Sequence, residues 1–236
     1  MTNKSNKLLK HFTNVYCLKK ILHEGFKFSD PSSWKDKNDS ACIAMNEHKS
    51  DFPIIRVICF CRGIDTLHHW SYYGKYTNNK LNKQDYYDAN IKCFISFDCE
   101  KVEQYVEQLG EQYRMINCKY YSNEKLKVEM DELKKVENEY QLLALKRNKY
   151  KVDDECRIIY KGENEPAPLD LCGCIKGIMI DGSISRKDYK KVKLFIDNLL
   201  DELPNRMSNV KIQQTGLLKS PQWIGMIQKI LVCRNV

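Results

Sequence analysis

Apolar and polar positions alternate in several distinct rhythms along this chain. Leu8 to Thr13 is short and mixed and reads as a strand. Asn14 then stands where a helix N-cap belongs, before a helix with Val15, Leu18, Ile21 and Leu22 on one face and Gly25 at its close. A polar loop rich in Asp and Asn follows Asp30-Pro31 and runs to about Ser50. Ile54 to Cys61 is a continuous apolar run, the pattern of a buried strand. Asp65 or Thr66 caps a short helix that sets Leu67, Trp70 and Tyr73 three residues apart on one side. A second polar loop, rich in Asn and Lys, covers about Tyr76 to Asn90.

The later half repeats these signals. Ile91, Cys93, Ile95 and Phe97 alternate as a strand, and Asp98 caps a helix ending at Gly110. Tyr113 to Tyr121 is expected to be one strand and Ser122 to Asn148 one long amphipathic helix buried along Leu126, Met130, Leu133, Tyr140 and Leu143. Glu155 to Tyr160 and Ile175 to Ile180 read as strands, and Ser185 to Leu203 as an amphipathic helix stopped by Pro204. Val210 to Gln213 reads as a last strand, and Trp223 to Val232 as a short helix or strand. The mixture lacks a regular βαβα alternation and the glycine-rich phosphate-binding motifs of Rossmann or P-loop proteins. An α+β class follows, and no Pro/Gly/Ser linker divides residues 1–236, so one domain is expected.

Composition adds limits. With 236 residues, 42% of them hydrophobic and 30% charged, the chain is too apolar for disorder and long enough for a real core. No apolar run approaches a membrane span, and the polar start carries no signal peptide pattern. Eleven cysteines, an odd number spread through regular elements, fit reduced thiols in a cytoplasm better than a disulfide scaffold. A formal charge of +8 favours a polyanionic partner, nucleic acid or a dinucleotide phosphate. Lysines interleaved with glutamates, as between Lys125 and Lys135, read as solvated helix faces that account for most of this charge. Cys59-x-Cys61 and Cys172-x-Cys174 lack the usual zinc spacing and read as small inward-facing hydrophobes, so no metal is expected.

Three segments place reactive groups on otherwise apolar elements. In Lys10-His11-Phe12-Thr13, His11 and Thr13 share a strand face; together they can bond a sugar hydroxyl, or His11 can be a satisfied core residue. In His69-Trp70-Ser71-Tyr72-Tyr73 the aromatic side chains either pack a core or form a platform for a planar cation such as nicotinamide. In Asp153 to Tyr160, Glu155 and Arg157 face opposite to Cys156 and Ile158. They either pair at a rim or supply a carboxylate for a cationic ribose centre and a guanidinium for a pyrophosphate.

Taken together these residues form a known pattern. Lys10-His11-Phe12-Thr13, Phe28-Ser29-Asp30-Pro31, Asn38-Asp39, Cys59-Phe60-Cys61, Trp70-Ser71-Tyr72-Tyr73, Lys146 and Glu155-Cys156-Arg157 resemble the uncharacterised bacterial domain-of-unknown-function family 2971. The chain departs from that family with Ser40 after Asn38-Asp39 and with His69 before the tryptophan. The order His-x-Thr, Tyr, Glu is also similar to ADP-ribosyltransferases of the His–Tyr–Glu type, particularly toxins that modify DNA. That resemblance implies a split β-sheet core flanked by helices, with NAD⁺ as substrate. It implies that His11 holds the NAD⁺ ribose, that Tyr73, or else Tyr72, stacks on the nicotinamide, and that Glu155 is catalytic; Thr13, Trp70 and Arg157 are the further NAD⁺-binding candidates from the residues themselves.

The function expected from this is an NAD⁺-dependent ADP-ribosyltransferase acting on nucleic acid or protein, in a bacterial toxin or antiphage setting with an antitoxin or defence partner. An NAD⁺ glycohydrolase and a non-catalytic nucleotide- or nucleic-acid-binding module are the alternatives. A metal-dependent nuclease would need Asp36, Asp39, Asp153 and Asp154 to cluster, and their spacing does not require it.

Overall fold

The computed structural model describes residues 8–34, 54–63, 65–72, 88, 90–135, 139–203 and 209–216. The strands are β1 (Leu8–Asn14), β2 (Ile54–Cys61), β3 (Lys92–Asp98), β4 (Tyr113–Asn117), β5 (Lys119–Tyr121), β6 (Leu145–Arg147), β7 (Glu155–Gly162), β8 (Ile175–Ile180) and β9 (Lys211–Gln214). The helices are α1 (Val15–Glu24), α2 (Leu67–Tyr72), α3 (Cys99–Gln108), α4 (Asn123–Lys135), α5 (Glu139–Leu142) and α6 (Arg186–Asp201). The class is therefore α+β. Among the described residues no helix is long and apolar enough to cross a membrane.

The chain divides into two compact units, the first Met1–His11, His23–Ile64 and Phe97–Ile175, the second Phe12–Leu22, Asp65–Ser96 and Lys176–Val236. In the first unit the strand order is β4-β7-β2-β1. The β2–β7 ladder is antiparallel over eight rungs, from Ile54 opposite Gly162 to Cys61 opposite Glu155. Burial is nearly unbroken along β7 and falls on both sides of β2, so both faces of this sheet are covered. One face buries Ile55, Val57, Leu143 and Ile159, with Trp34, Cys59, Ile116 and Tyr140 packed around them. The other brings Phe26, Phe60 and Phe97 together with ring centroids 5.3 to 6.2 Å apart. A separate two-stranded parallel sheet, β5–β6, pairs Tyr120 with Lys146 and Tyr121 with Arg147. Leu145 is its buried centre, closed by Tyr121 and Leu126.

In the second unit the strand order is β1-β3-β8-β9, with β1 represented by its C-terminal half. Asn14 caps α1 by accepting from the Cys17 amide at 2.8 Å, and Val15, Leu18 and Leu22 are the buried side of that helix. Ser185 caps α6 through the Asp188 amide, and Val192, Ile196, Leu199 and Leu200 are buried. Strands β8 and β9 run parallel from Gly177 opposite Lys211 to Ile180 opposite Gln214.

Two elements differ from the sequence expectation. The strand expected over Tyr113 to Tyr121 breaks at Cys118, whose amide donates to the Glu155 carbonyl at 2.8 Å, and the chain then leaves β7 to pair with β6. The long helix expected over Ser122 to Asn148 is described as α4 and α5, after which Leu145–Arg147 is a strand and Asn148–Asp153 a 3-10 turn. Leu143, Ala144, Leu145 and Lys146 are buried in succession, which one face of a helix cannot supply. The segment expected over Trp223 to Val232 lies outside the described residues.

Candidate functional site around Glu155

Strand β7 starts from an unusual backbone. Asp154 ends the 3-10 turn in the left-handed region, with φ 41, a conformation that Asp tolerates better than most side chains. The chain is thereby turned so that Glu155 enters the sheet with its side chain pointing inward, 5% exposed. The Glu155 amide donates to the Tyr120 hydroxyl at 2.6 Å, and the Cys118 thiol stands 3.7 Å from Glu155 Oε1.

Two cations hold the carboxylate. Lys146 Nζ donates to Glu155 Oε2 at 2.5 Å and to Asp153 Oδ2 at 3.1 Å. Arg157 Nε donates to Glu155 Oε1, and its Nη1 donates to the Leu143 carbonyl at 2.7 Å. The Arg157 guanidinium also lies 5.3 Å from the Trp34 ring centroid. Asp153 and Arg157 are 0% and 1% exposed, so the group is two carboxylates and two cations removed from water. Burial works to raise the Glu155 pKa. The Arg157 and Lys146 charges, with their hydrogen bonds, overcome that and bring it down to about 2. Glu155 is therefore ionised at neutral pH and fixed in one orientation.

His11 belongs to the other side of the sheet. Lys10 is opposite Cys61, and Cys61 is opposite Glu155. Directly opposed residues project to the same face, so Lys10, Cys61 and Glu155 share one face and His11 takes the other. Its contacts agree: the imidazole meets Phe26 and Phe60 edge-on, at 5.1 and 5.9 Å. Its Nδ1 donates to the Cys59 carbonyl at 3.0 Å, which fixes the tautomer with the proton on Nδ1. The structure does not bring His11 and Glu155 onto one surface.

Burial lowers the His11 pKa from its ordinary value, against the opposing pull of the Cys59 hydrogen bond. The neutral ring is the native form, so the unfolded chain takes up the proton first as pH falls. The stability carried by neutral His11 is complete above about pH 6.5 and is lost as pH drops below it, by at most about 1.4 kcal/mol for each pH unit. His11→Asn keeps a donor near the Nδ1 position without a titrating group. The melting temperature of this variant is expected to fall less than that of the parent between pH 7.5 and 5; equal slopes would refute the assignment.

Thr13, His69 and Trp70 sit in the second unit. Thr13 is buried and bonds the Cys17 thiol. Trp70 is 2% exposed, donates from Nε1 to Asp65 Oδ2 at 3.2 Å, and packs against Phe12 and Phe94. The His69 ring stacks on Phe12 with 5.0 Å between centroids, and its Nδ1 accepts from the Thr66 amide that begins α2. Trp70 and His69 thus act as core and helix cap in this unit. Tyr72 lies in α2 with its side chain undescribed, and Tyr73, Asp36 and Asp39 lie outside the described residues.

Lys146 has the strongest electrostatic hold on Glu155 besides Arg157, yet residue chemistry alone gave it no role. Its sequence signal is its position at the end of the apolar run Leu142-Leu143-Ala144-Leu145, which carries the first of several cations inward.

No family model matches the chain, so the likeness of its motifs to domain-of-unknown-function family 2971 has no model match behind it. No curated protein matches either. Among solved structures, the chain is similar to Thermus sp. 2.9 DarT in complex with NAD⁺, at 11% identity and a TM-score of 0.39, over 91% of this chain and 98% of that one. It is also similar to Thermus sp. 2.9 DarT in complex with ADP-ribosylated ssDNA, at 13% identity and a TM-score of 0.41, over 91% and 97% of the two chains. At these values the likeness assigns no role to any residue.

Proposed function

We propose that this chain acts on NAD⁺ as an ADP-ribosyltransferase, with Glu155 as the residue that carries the chemistry. The observation behind this reading is the Glu155 carboxylate itself: ionised, removed from water and fixed at the head of β7 by Lys146 and Arg157. When the bond between nicotinamide and ribose breaks, its electron pair leaves with the pyridine nitrogen and the ribose carbon becomes cationic. A carboxylate already charged and oriented stabilises that centre without reorganisation, the effect expected of preorganised electrostatics. Arg157, beside it, would hold the pyrophosphate, and Tyr73 or Tyr72 would receive the nicotinamide. The geometry supports Glu155 in this role and does not support His11 as its partner over one substrate. Nucleic acid or protein is the acceptor on this reading, and hydrolysis to free ADP-ribose is its close variant. A bacterial toxin or antiphage role, with an antitoxin or defence partner, is the setting we propose for it.

One observation favours a second reading. Lys146 and Arg157 together neutralise Glu155, and Asp153 completes a closed charge group. A buried group of this kind can serve folding alone, in which case the chain is a non-catalytic binding module. Incubation with NAD⁺ labelled in the nicotinamide ring separates the two. The parent protein is expected to release nicotinamide, and Glu155→Gln to release it at least about 100-fold more slowly while still binding NAD⁺. Absence of release by the parent, with and without DNA, RNA and lysate, would sink the catalytic reading.

A further inference from the structure

One guanidinium in the first unit is matched with sulfur instead of a carboxylate. Arg62, just past the end of β2, donates from Nη2 to Cys156 Sγ at 3.5 Å and to Cys99 Sγ at 3.8 Å. Its Nε is buried with no hydrogen-bond partner, and among the described residues no carboxylate pairs with it. The two sulfurs share one nitrogen, yet they come from distant parts of the chain, Cys99 at the start of α3 and Cys156 in β7. Both are free thiols, and all three residues belong to the first unit.

The two thiols are unequal. Cys156 is 0% exposed and lies opposite Phe60, on the aromatic face of the sheet. Cys99 is 8% exposed and is the first residue of α3 after its Asp98 cap, where the helix dipole favours a thiolate. Burial is the largest influence on both and raises them, Cys156 to about 12; the Arg62 charge opposes it at each sulfur. Glu103, one turn further along α3, acts with burial on both thiols, and Asp98 does so on Cys99. A neutral thiol gives a guanidinium little to hold, whereas a sulfur that becomes negative while it reacts gives it much.

We propose that Cys99 and Cys156, served by Arg62, are a disulfide-forming pair that a hydroperoxide oxidises. Cys99, the more accessible thiol, loses its proton and its sulfur attacks one peroxide oxygen. The O–O bond breaks, and the departing hydroxide takes up that proton as water, which leaves a sulfenic acid on Cys99. The Cys156 sulfur then attacks the Cys99 sulfur, the S–O bond breaks, and the second hydroxide leaves as water with the Cys156 proton. Hydrogen peroxide is thus reduced to two waters while two thiols become one disulfide. Arg62 stabilises the negative charge on the attacking sulfur, and no other side-chain hydrogen bond among the described residues prevents it from moving aside. The bond would tie α3 to the strand that carries Glu155, next to the turn where the Arg62 amide donates to the Asp154 carbonyl at 3.0 Å. None of this rests on the function proposed above.

The test exposes the reduced full chain to hydrogen peroxide, blocks the remaining thiols with N-ethylmaleimide and maps peptides by mass spectrometry without reduction. The expected product is a peptide pair joining Cys99 to Cys156, lighter by two hydrogens and split by dithiothreitol. In guanidinium chloride, where the held proximity is gone, its yield relative to other cysteine pairs is expected to fall at least about tenfold. Cys156→Ala removes the second thiol, so the Cys99 sulfenic acid should persist and be trapped by dimedone, while Cys99→Ala should give no adduct at Cys156. Arg62→Met should slow the linkage roughly threefold to tenfold, the effect of one pKa unit on an attacking thiol. Absence of the Cys99–Cys156 linkage, an equal yield in the denatured chain, or an unchanged rate in Arg62→Met would overturn the proposal. So would a Cys156→Ala protein whose Cys99 takes up no dimedone.

Discussion

Lys146→Met is expected to destabilise the protein by about 3 to 5 kcal/mol, because it removes one of two buried cations while both buried carboxylates stay charged. Lys146 is 6% exposed and bonds both Asp153 and Glu155, which are 0% and 5% exposed. Methionine fills much the same volume, so the loss reports charge more than packing. For a chain of this size each kcal/mol is worth roughly 2 to 4 °C, so a fall of about 6 to 20 °C in melting temperature is expected. Replacing the acids as well, with Asp153→Asn and Glu155→Gln, should recover most of it, since the desolvated charges are then gone. A Lys146→Met protein within about 1 kcal/mol of the parent would mean that the group is hydrated in solution.

The same group sets an acid limit. The folded Glu155 pKa, near 2, is below that of an unfolded glutamate, about 4.3, so its contribution is present above the unfolded value. It is lost as pH falls from there toward 2, which is the opposite end of the scale from any group whose pKa is raised.

Phe60→Ala is expected to cost about 3 to 5 kcal/mol, the usual range for emptying an aromatic site in a core. Phe60 is 1% exposed and meets His11, Phe26 and Phe97 at ring centroid distances of 5.9, 6.2 and 5.7 Å. The variant also probes His11. With one wall of its enclosure removed, the imidazole is hydrated and its pKa moves back up toward 6.5, which NMR titration of the ring protons reads directly. Phe60→Leu should retain much of the stability and leave His11 depressed. A loss under about 1.5 kcal/mol for Phe60→Ala, or a His11 pKa that does not move, would show that His11 is not enclosed by this aromatic group.

Local signals in the sequence translated well into elements, and distant ones did not. Ile54 to Cys61 and Ile175 to Ile180 form strands over the ranges their apolar runs predict, and Asn14, Asp98 and Ser185 cap helices through their own side chains. Alternation also put Glu155 and Arg157 on one face, where Arg157 now pairs with the Glu155 carboxylate. Strand β6 was hidden because its three residues, Leu145–Arg147, follow a stretch rich in Glu and Lys that reads as uninterrupted helix. Its existence depends on β5, a parallel partner on the far side of α4, and no local period reveals that pairing. The relation between His11 and Glu155 was equally out of reach. Each strand shows which residues alternate, but only the rungs Lys10–Cys61 and Cys61–Glu155 decide which set on β1 shares a face with Glu155.

The eight-rung pairing of β2 with β7 joins segments about a hundred residues apart. A chain emerging from the ribosome must hold the apolar strand Ile54–Cys61 without its partner until Gly162 has cleared the exit tunnel. Pairing so distant brings its reward only after a long loop has closed, which makes folding slow and leaves β2 vulnerable to association with other chains meanwhile. Synthesis halted before residue 155 would yield a fragment with neither its central ladder nor Glu155, and cellular quality control would meet it as an exposed strand.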